Sequence, residues 1–137
     1  MKSEDQLKGQ SQGRTVSTQE ARDIGERLLE YGARIIKVVE SMPKTLVGRR
    51  VADQLLRSGT SVGANYEEAR AAESKEDFVH KLQIALKELR ESNYWLRLLL
   101  KSGKISAGRM ANLLDESNQF RAILSKSVAT VKGRAKG

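Results

Sequence analysis

The chain has no cysteine, so neither a disulfide framework nor a thiolate metal site is open to it, and a reducing compartment suits it. Proline occurs once, at Pro43, and aromatic residues make up only 4% of the sequence, which argues for a helical chain over a sandwich or barrel. Histidine also occurs once, at His80. No apolar run approaches the roughly 20 residues that a membrane span needs. Residues 1–14 lack the apolar core of a secretory signal, so a cytoplasmic protein without a membrane anchor is expected.

What the sequence holds instead is charge and helical periodicity. Its 137 residues suffice for one domain with a single core. The net charge is +8, and the excess is uneven: residues 103–137 carry seven basic side chains (Lys104, Arg109, Arg121, Lys126, Lys132, Arg134 and Lys136) against two acidic ones. Such an excess favours a polyanionic partner, RNA or another nucleic acid among the candidates, with Arg49, Arg50 and Arg57 as further contacts. The competing expectation is a protein-interaction scaffold, or an accessory subunit for a nucleic-acid enzyme, whose charge serves solubility.

Residues 1–16 are polar and aperiodic and read as a flexible arm. Ser17 and Glu20 form a capping box that opens a helix over residues 18–41, with Ile24, Leu28, Tyr31, Ile35, Val38 and Val39 at helical spacing. Pro43 ends it. A second helix over 45–72 has the stripe Val47, Val51, Leu55, Ser58, Val62, Tyr66 and Ala69. It must pass through G-T-S-V-G-A-N, at a propensity cost of about 3–4 kcal/mol relative to alanine. Helix is still expected there, because Gly59 and Gly63 lie four apart and form a shallow groove for another helix. Ser74 caps a third helix over 74–102, which carries Phe78, Leu82, Ala85, Leu89 and Leu96, widened by Ile84, Leu86, Trp95 and Leu98. Gly103 fits its left-handed terminator. A fourth helix over 106–132 follows, and residues 133–137 form a basic tail. Short connections between four helices predict an all-α, antiparallel up-down-up-down bundle over residues 17–132. The wide apolar face of the third helix predicts self-association.

The catalytic constellations are incomplete. A di-metal bundle site needs two Glu-x-x-His units, and only Asp77 and His80 approximate one, so no metal or other cofactor is expected. G-T-S-V-G-A-N lacks the G-K-[ST] ending of a phosphate loop. Ser58, Ser61 and Ser74 have no nucleophile setting. The best enzymatic case is a pocket in which Asn65 and Glu68 face Glu88 and Glu91, but ion pairing with Arg57, Arg70, Lys87 and Arg90 is the simpler role for these acids. Ser58, Gly59, Ser61, Gly63, Asn65, Glu68, Ser74, Phe78, Glu88, Glu91 and Trp95 therefore read as a structural and interface set. Its polar members are expected to satisfy one another across helices or subunits and so set register. No catalytic residue is assigned, and a non-enzymatic protein is expected.

The run R-S-G-T-S-V-G-A-N-Y-E-E-A-R-A-A-E-S-K-E-D-F-V-H-K-L-Q-I-A-L-K-E-L-R-E-S-N-Y-W-L resembles the four-helix-bundle proteins encoded by intervening sequences in bacterial 23S ribosomal RNA genes. The resemblance spans residues 20–130, and it recurs at Ser58, Ser61, Asn65, Glu68, Ala69, Ser74, Phe78, Lys81, Glu88, Glu91, Trp95 and Leu96. It implies an antiparallel bundle that assembles into a ring, typically a pentamer. It also implies a more distant likeness to the basic accessory protein of diversity-generating retroelements, which binds nucleic acid and a reverse transcriptase. The resemblance supplies no catalytic residues.

Overall fold

The computed structural model describes residues 18–136, apart from the side chains of Arg109, Arg134, Ala135 and Lys136. The arm over 1–16 and the Ser17 cap lie outside the described residues. Four helices follow one another: α1 (Thr18–Glu40), α2 (Leu46–Arg70), α3 (Lys75–Lys101) and α4 (Ala107–Lys136), with no strand among the described residues. Backbone contacts join α1 to α2, α2 to α3, α3 to α4 and α4 to α1, whereas the diagonal pairs do not meet, so the helices stand at the corners of a square. Paired residues run in opposite order along the seams: Ile35 meets Gly59 while Ala21 meets Tyr66 between α1 and α2, Asn93 meets Ser117 while Gln83 lies by Lys132 between α3 and α4, and Arg27 meets Glu116 while Glu20 lies by Ser127 between α1 and α4. Arg57 meets Glu88 and Glu91 while Glu68 meets Lys81, which makes neighbouring helices antiparallel.

Local chemistry explains where each helix starts and stops. The Thr45 hydroxyl accepts from the Gly48 amide at 3.1 Å to open α2, and Ser74 accepts from the Asp77 amide at 3.0 Å to open α3. At the end of α3, Gly103 takes φ +74°, its amide donates to Leu100 and that of Lys104 to Leu99, a Schellman closure that a side chain with Cβ would strain. The basic tail expected over 133–137 is instead helical through Lys136, because residues 133–136 contain no proline and the i→i−4 ladder simply continues.

Helix α2 is continuous through G-T-S-V-G-A-N. Its polar residues are satisfied by their own helix. Ser58 donates to the Gln54 carbonyl at 2.8 Å, Thr60 to Leu56 at 2.6 Å, Ser61 to Ser58 at 3.0 Å and Asn65 to Ser61 at 2.9 Å. Ser58, Ser61 and Asn65, expected to bond across helices or subunits, each find a carbonyl one turn back in their own helix, while Glu68, Glu88 and Glu91 of the same set reach across the α2–α3 seam to Lys81 and Arg57. The glycines let α1 lie close. A Cβ on Gly59 would fall 2.8 Å from two side-chain carbons of Ile35, one on Gly63 would touch the Leu28 backbone at 3.5 Å, and one on Gly32 would reach the Thr60 Cα at 3.9 Å. Ile35 occupies the space that Gly59 leaves, and both are buried.

The core is built from the expected stripes, with Leu28, Tyr31, Ile35, Leu55, Val62, Leu82, Leu89, Leu96, Met110, Leu113, Phe120 and Leu124 nearly inaccessible. Two polar links cross it. The Tyr31 hydroxyl meets Ser92 at 2.9 Å across the α1–α3 diagonal, and Asn93 donates to Ser117 at 3.0 Å between α3 and α4. The Tyr31 ring also packs edge-on against Phe120, with centroids 5.9 Å apart.

Gly59→Ala is expected to lower stability by about 1–3 kcal/mol despite alanine's better helix propensity, because the new methyl displaces Ile35. In urea unfolding, Ile35→Ala combined with Gly59→Ala should cost clearly less than the sum of the single changes; additivity would show that the two residues do not share one space. A second prediction concerns alkaline pH. Burial raises the phenol of Tyr31 above its ordinary value and that of Tyr66 to about 12. Above pH 10 the unfolded chain releases these protons first, so their contribution, constant below pH 10, is lost as pH rises. The fall in stability between about pH 10 and 12 should be shallower in Tyr31→Phe than in the parent, measured by denaturant midpoint.

Candidate nucleic-acid interface

An up-down-up-down path brings the α1–α2 and α3–α4 connections to the same end of the bundle. That end therefore collects Lys37 from the last turn of α1, Lys44 from the first connection, and Arg49 and Arg50 from the first turn of α2. Arg97 and Lys101 at the close of α3 and Lys104 in the second connection complete the group. All seven side chains are exposed, and none has a carboxylate within 4.0 Å among the described residues. The nearby acids along the chain are only Glu40 and Asp53. Neither α2 nor α4 has an acidic residue in its first turn, so no carboxylate offsets the positive ends of these two helices, and Lys37 and Lys101 in the last turns of α1 and α3 offset the negative ends that stand beside them. The opposite end carries Glu67, Glu68, Glu73, Glu76 and Asp77, and Glu67 and Glu68 there pair with Arg70 and Lys81.

The sequence-predicted cations divide along this geometry. Arg49, Arg50 and Lys104 share the basic end. Arg121, Lys126 and Lys132 are strung along α4, a helix about 45 Å long, with Lys126 beside Glu20 and Asp23 on the α1–α4 cleft and Lys132 near Arg90 on the α3–α4 face. The side chains of Arg109, Arg134 and Lys136 lie outside the described residues. Arg57 is committed elsewhere: it donates to Glu88 at 3.0 Å, to Gln54 at 3.1 Å and to Glu91, whose carboxylate also accepts from the Trp95 indole at 3.0 Å. A phosphate would have to compete with two carboxylates to reach it, which sets Arg57 apart from the cations of the basic end.

The polar set considered for catalysis is also accounted for. Asn65 is held by its own helix, Glu68 by Lys81 at 3.2 Å, and Glu88 and Glu91 by Arg57 on a half-exposed surface. His80 is exposed on the outer side of α3, and among the described residues no three His, Cys, Asp or Glu side chains gather as metal ligands would. Four residues of the basic end, Lys37, Lys44, Arg97 and Lys101, were not singled out from sequence. The clue was available in the connectivity, since the topology alone assigns both connections to one end. Ser92 and Asn93 were missed in the same way: with Leu89 and Leu96 they fall at i, i+3, i+4 and i+7 on one face, and only their polarity hid the pattern.

The family model for the 23S rRNA-intervening sequence protein matches residues 21–126. The chain belongs to this family. Its fold is also that of a crystal structure, solved at 1.70 Å, of a protein of unknown function from the S23 ribosomal protein family of Bacteroides thetaiotaomicron VPI-5482. The two are 33% identical, with a TM-score of 0.74 over 80% of this chain and 97% of that one. No match to the chain is found among curated proteins. The family match takes in all of α2 and α3 and leaves the last ten residues of α4 outside it. No helix among the described residues is long and apolar enough to cross a membrane.

Arg57 is half-exposed, but the Glu88 side chain beside it is only 16% exposed, so Arg57→Gln, which leaves that carboxylate without its cation, should cost about 1–3 kcal/mol in urea unfolding. A larger loss would mean that this cluster is a main determinant of the register of α2 on α3.

Proposed function

We propose that this member of the 23S rRNA-intervening sequence protein family is a non-enzymatic, self-associating bundle that binds RNA through its basic end. The observation that carries the proposal is the gathering of seven exposed cations, with no carboxylate partner among the described residues, at the end where two helix N-termini carry no acid. Cations that lack protein partners in the fold retain their full attraction for phosphate, and counterion release makes the resulting affinity salt-dependent and tolerant of sequence. Aromatic stacking plays no part, since Trp95 is half-buried and bonded to Glu91 and Tyr94 lies on the side of α3. In a ring, the family assembly implied by resemblance, copies that stand side by side would present their basic ends together and multiply a weak individual contact.

The test is binding to a structured RNA across a salt series. Changing Arg49, Arg50 and Lys104 together to Gln should weaken binding and flatten the plot of log affinity against log salt by about 2, whereas changing Lys126 and Lys132 to Gln should leave that slope nearly unaltered. Equal losses in the two variants, or an affinity indifferent to salt, would overturn the assignment.

A further inference from the structure

Two outer faces of the bundle stay apolar at their centres and carry opposite charge at their edges. On α1, Leu29 is 67% exposed and Ile36 43%, and they flank Ala33 along a groove of about 570 Å³ whose floor is Gly25, Gly32 and Gly63. The charges lining the groove are Glu26, Glu67 and Arg70, the last two paired with each other; Glu30 is exposed beside Leu29, and Lys37 is exposed beside Ile36. On α3, Tyr94 is 54% exposed and Leu98 38%, and Tyr94 stands edge-on against Trp95 with centroids 5.2 Å apart. Every exposed charge on α3 from Lys87 to Lys101 is basic: Lys87, Arg90, Arg97 and Lys101. Because α1 and α3 occupy diagonal corners, these faces point away from each other and cannot meet within one chain.

From this we infer that the α3 ridge of one copy seats in the α1 groove of the next, with Tyr94 and Leu98 against Leu29 and Ile36 and with Lys87 and Arg90 facing Glu26 and Glu30. The inference rests on the self-association proposed above and names the surfaces that produce it. Three features select a second copy as the occupant. The groove is apolar with small residues on its floor, so it accepts projecting side chains; the ridge offers an aromatic and a leucine that project; and the charges at the two edges are complementary in sign. The contact uses different surfaces on the two partners, so each copy retains one free groove and one free ridge. Association then continues copy by copy until it closes into a ring. Of the basic end, Lys37 beside Ile36 and Arg97 and Lys101 beside Leu98 lie at the margin of the contact, while Lys44, Arg49, Arg50 and Lys104 stay open to RNA.

The heterologous geometry gives a sharp test. One variant loses its groove (Leu29→Asp with Ile36→Asp) and another loses its ridge (Tyr94→Asp with Leu98→Asp); all four positions are exposed, and circular dichroism checks that both variants fold. In light scattering at about 50 µM each variant alone should have the mass of one chain, whereas the wild type is several-fold heavier. Mixed in equal amounts the two should give a species of twice the single-chain mass and no larger, because the intact ridge of the first fits the intact groove of the second. A gentler pair, Glu26→Lys with Glu30→Lys and Lys87→Glu with Arg90→Glu, keeps the test open if the aspartates unfold the chain: each should have the mass of one chain alone, and because the reversed groove and the reversed ridge are again opposite in sign, their mixture should regain the wild-type mass. A mixture that stays monomeric, or either variant keeping the wild-type mass, overturns the interface. Wild type that binds RNA as a monomer also overturns it and leaves the RNA assignment standing, while wild type that assembles through these faces and ignores RNA supports it and removes that assignment.

Discussion

The approach of α1 to α2 is the constraint on which the rest of the molecule depends. Where side chains of ordinary size would hold two helices 8–10 Å apart, Gly59 and Gly63 leave room for Ile35 and the Leu28 backbone to enter. That proximity requires α2 to remain helical through a run of residues that favour turns. The run does so because Ser58, Thr60, Ser61 and Asn65 each bond a carbonyl of their own helix and leave no polar group needing a loop. Packing supplies what propensity withholds. Once α2 is one uninterrupted rod, the two connections it separates lie at opposite ends of the bundle, and the distribution of charge follows from that.

The bundle separates its surfaces by job. The interior is apolar and locked by two polar links, Tyr31 to Ser92 and Asn93 to Ser117. A buried hydroxyl or amide placed in only one register penalises any slip of a helix, because a slip would orphan it. The ends differ in charge because the topology sorts sequence-distant residues by the direction of their helix. Lys44 and Lys104 are far apart in the chain yet occupy the same end. The sides carry Leu29, Ile36, Leu56, Tyr94 and Leu98, while Leu46 and Val47 are exposed at the basic end, and membership of the 23S rRNA-intervening sequence protein family sets the fold in a group with the same architecture.

Much of the fold was legible in the residues. Thr45, Ser74 and Gly103 mark helix boundaries by chemistry that operates over one turn, and the stripes through Leu28, Leu55, Leu89 and Phe120 follow from a period of 3.6. The candidate site was less legible. Basic residues were weighed by their density along the chain, which pointed to α4, but a surface field depends on density in space. Arg57 illustrates the same gap, since nothing local shows that its guanidinium reaches across to Glu88 and Glu91 on α3. The apolar surplus was expected on the third helix alone; Leu29 and Ile36 on α1 share it, because their positions fall just off the core stripe and only the placement of α2 shows that nothing covers them.

The central claim is that one bundle joins copies through its sides while holding RNA with its end. Native mass spectrometry of the full chain, with and without a short structured RNA in dilute volatile salt, addresses it most directly. The account predicts a single closed assembly of several copies whose mass rises by whole RNA molecules while the number of protein copies stays fixed. A single-chain mass in both samples, or an assembly that falls apart when RNA binds, would contradict it.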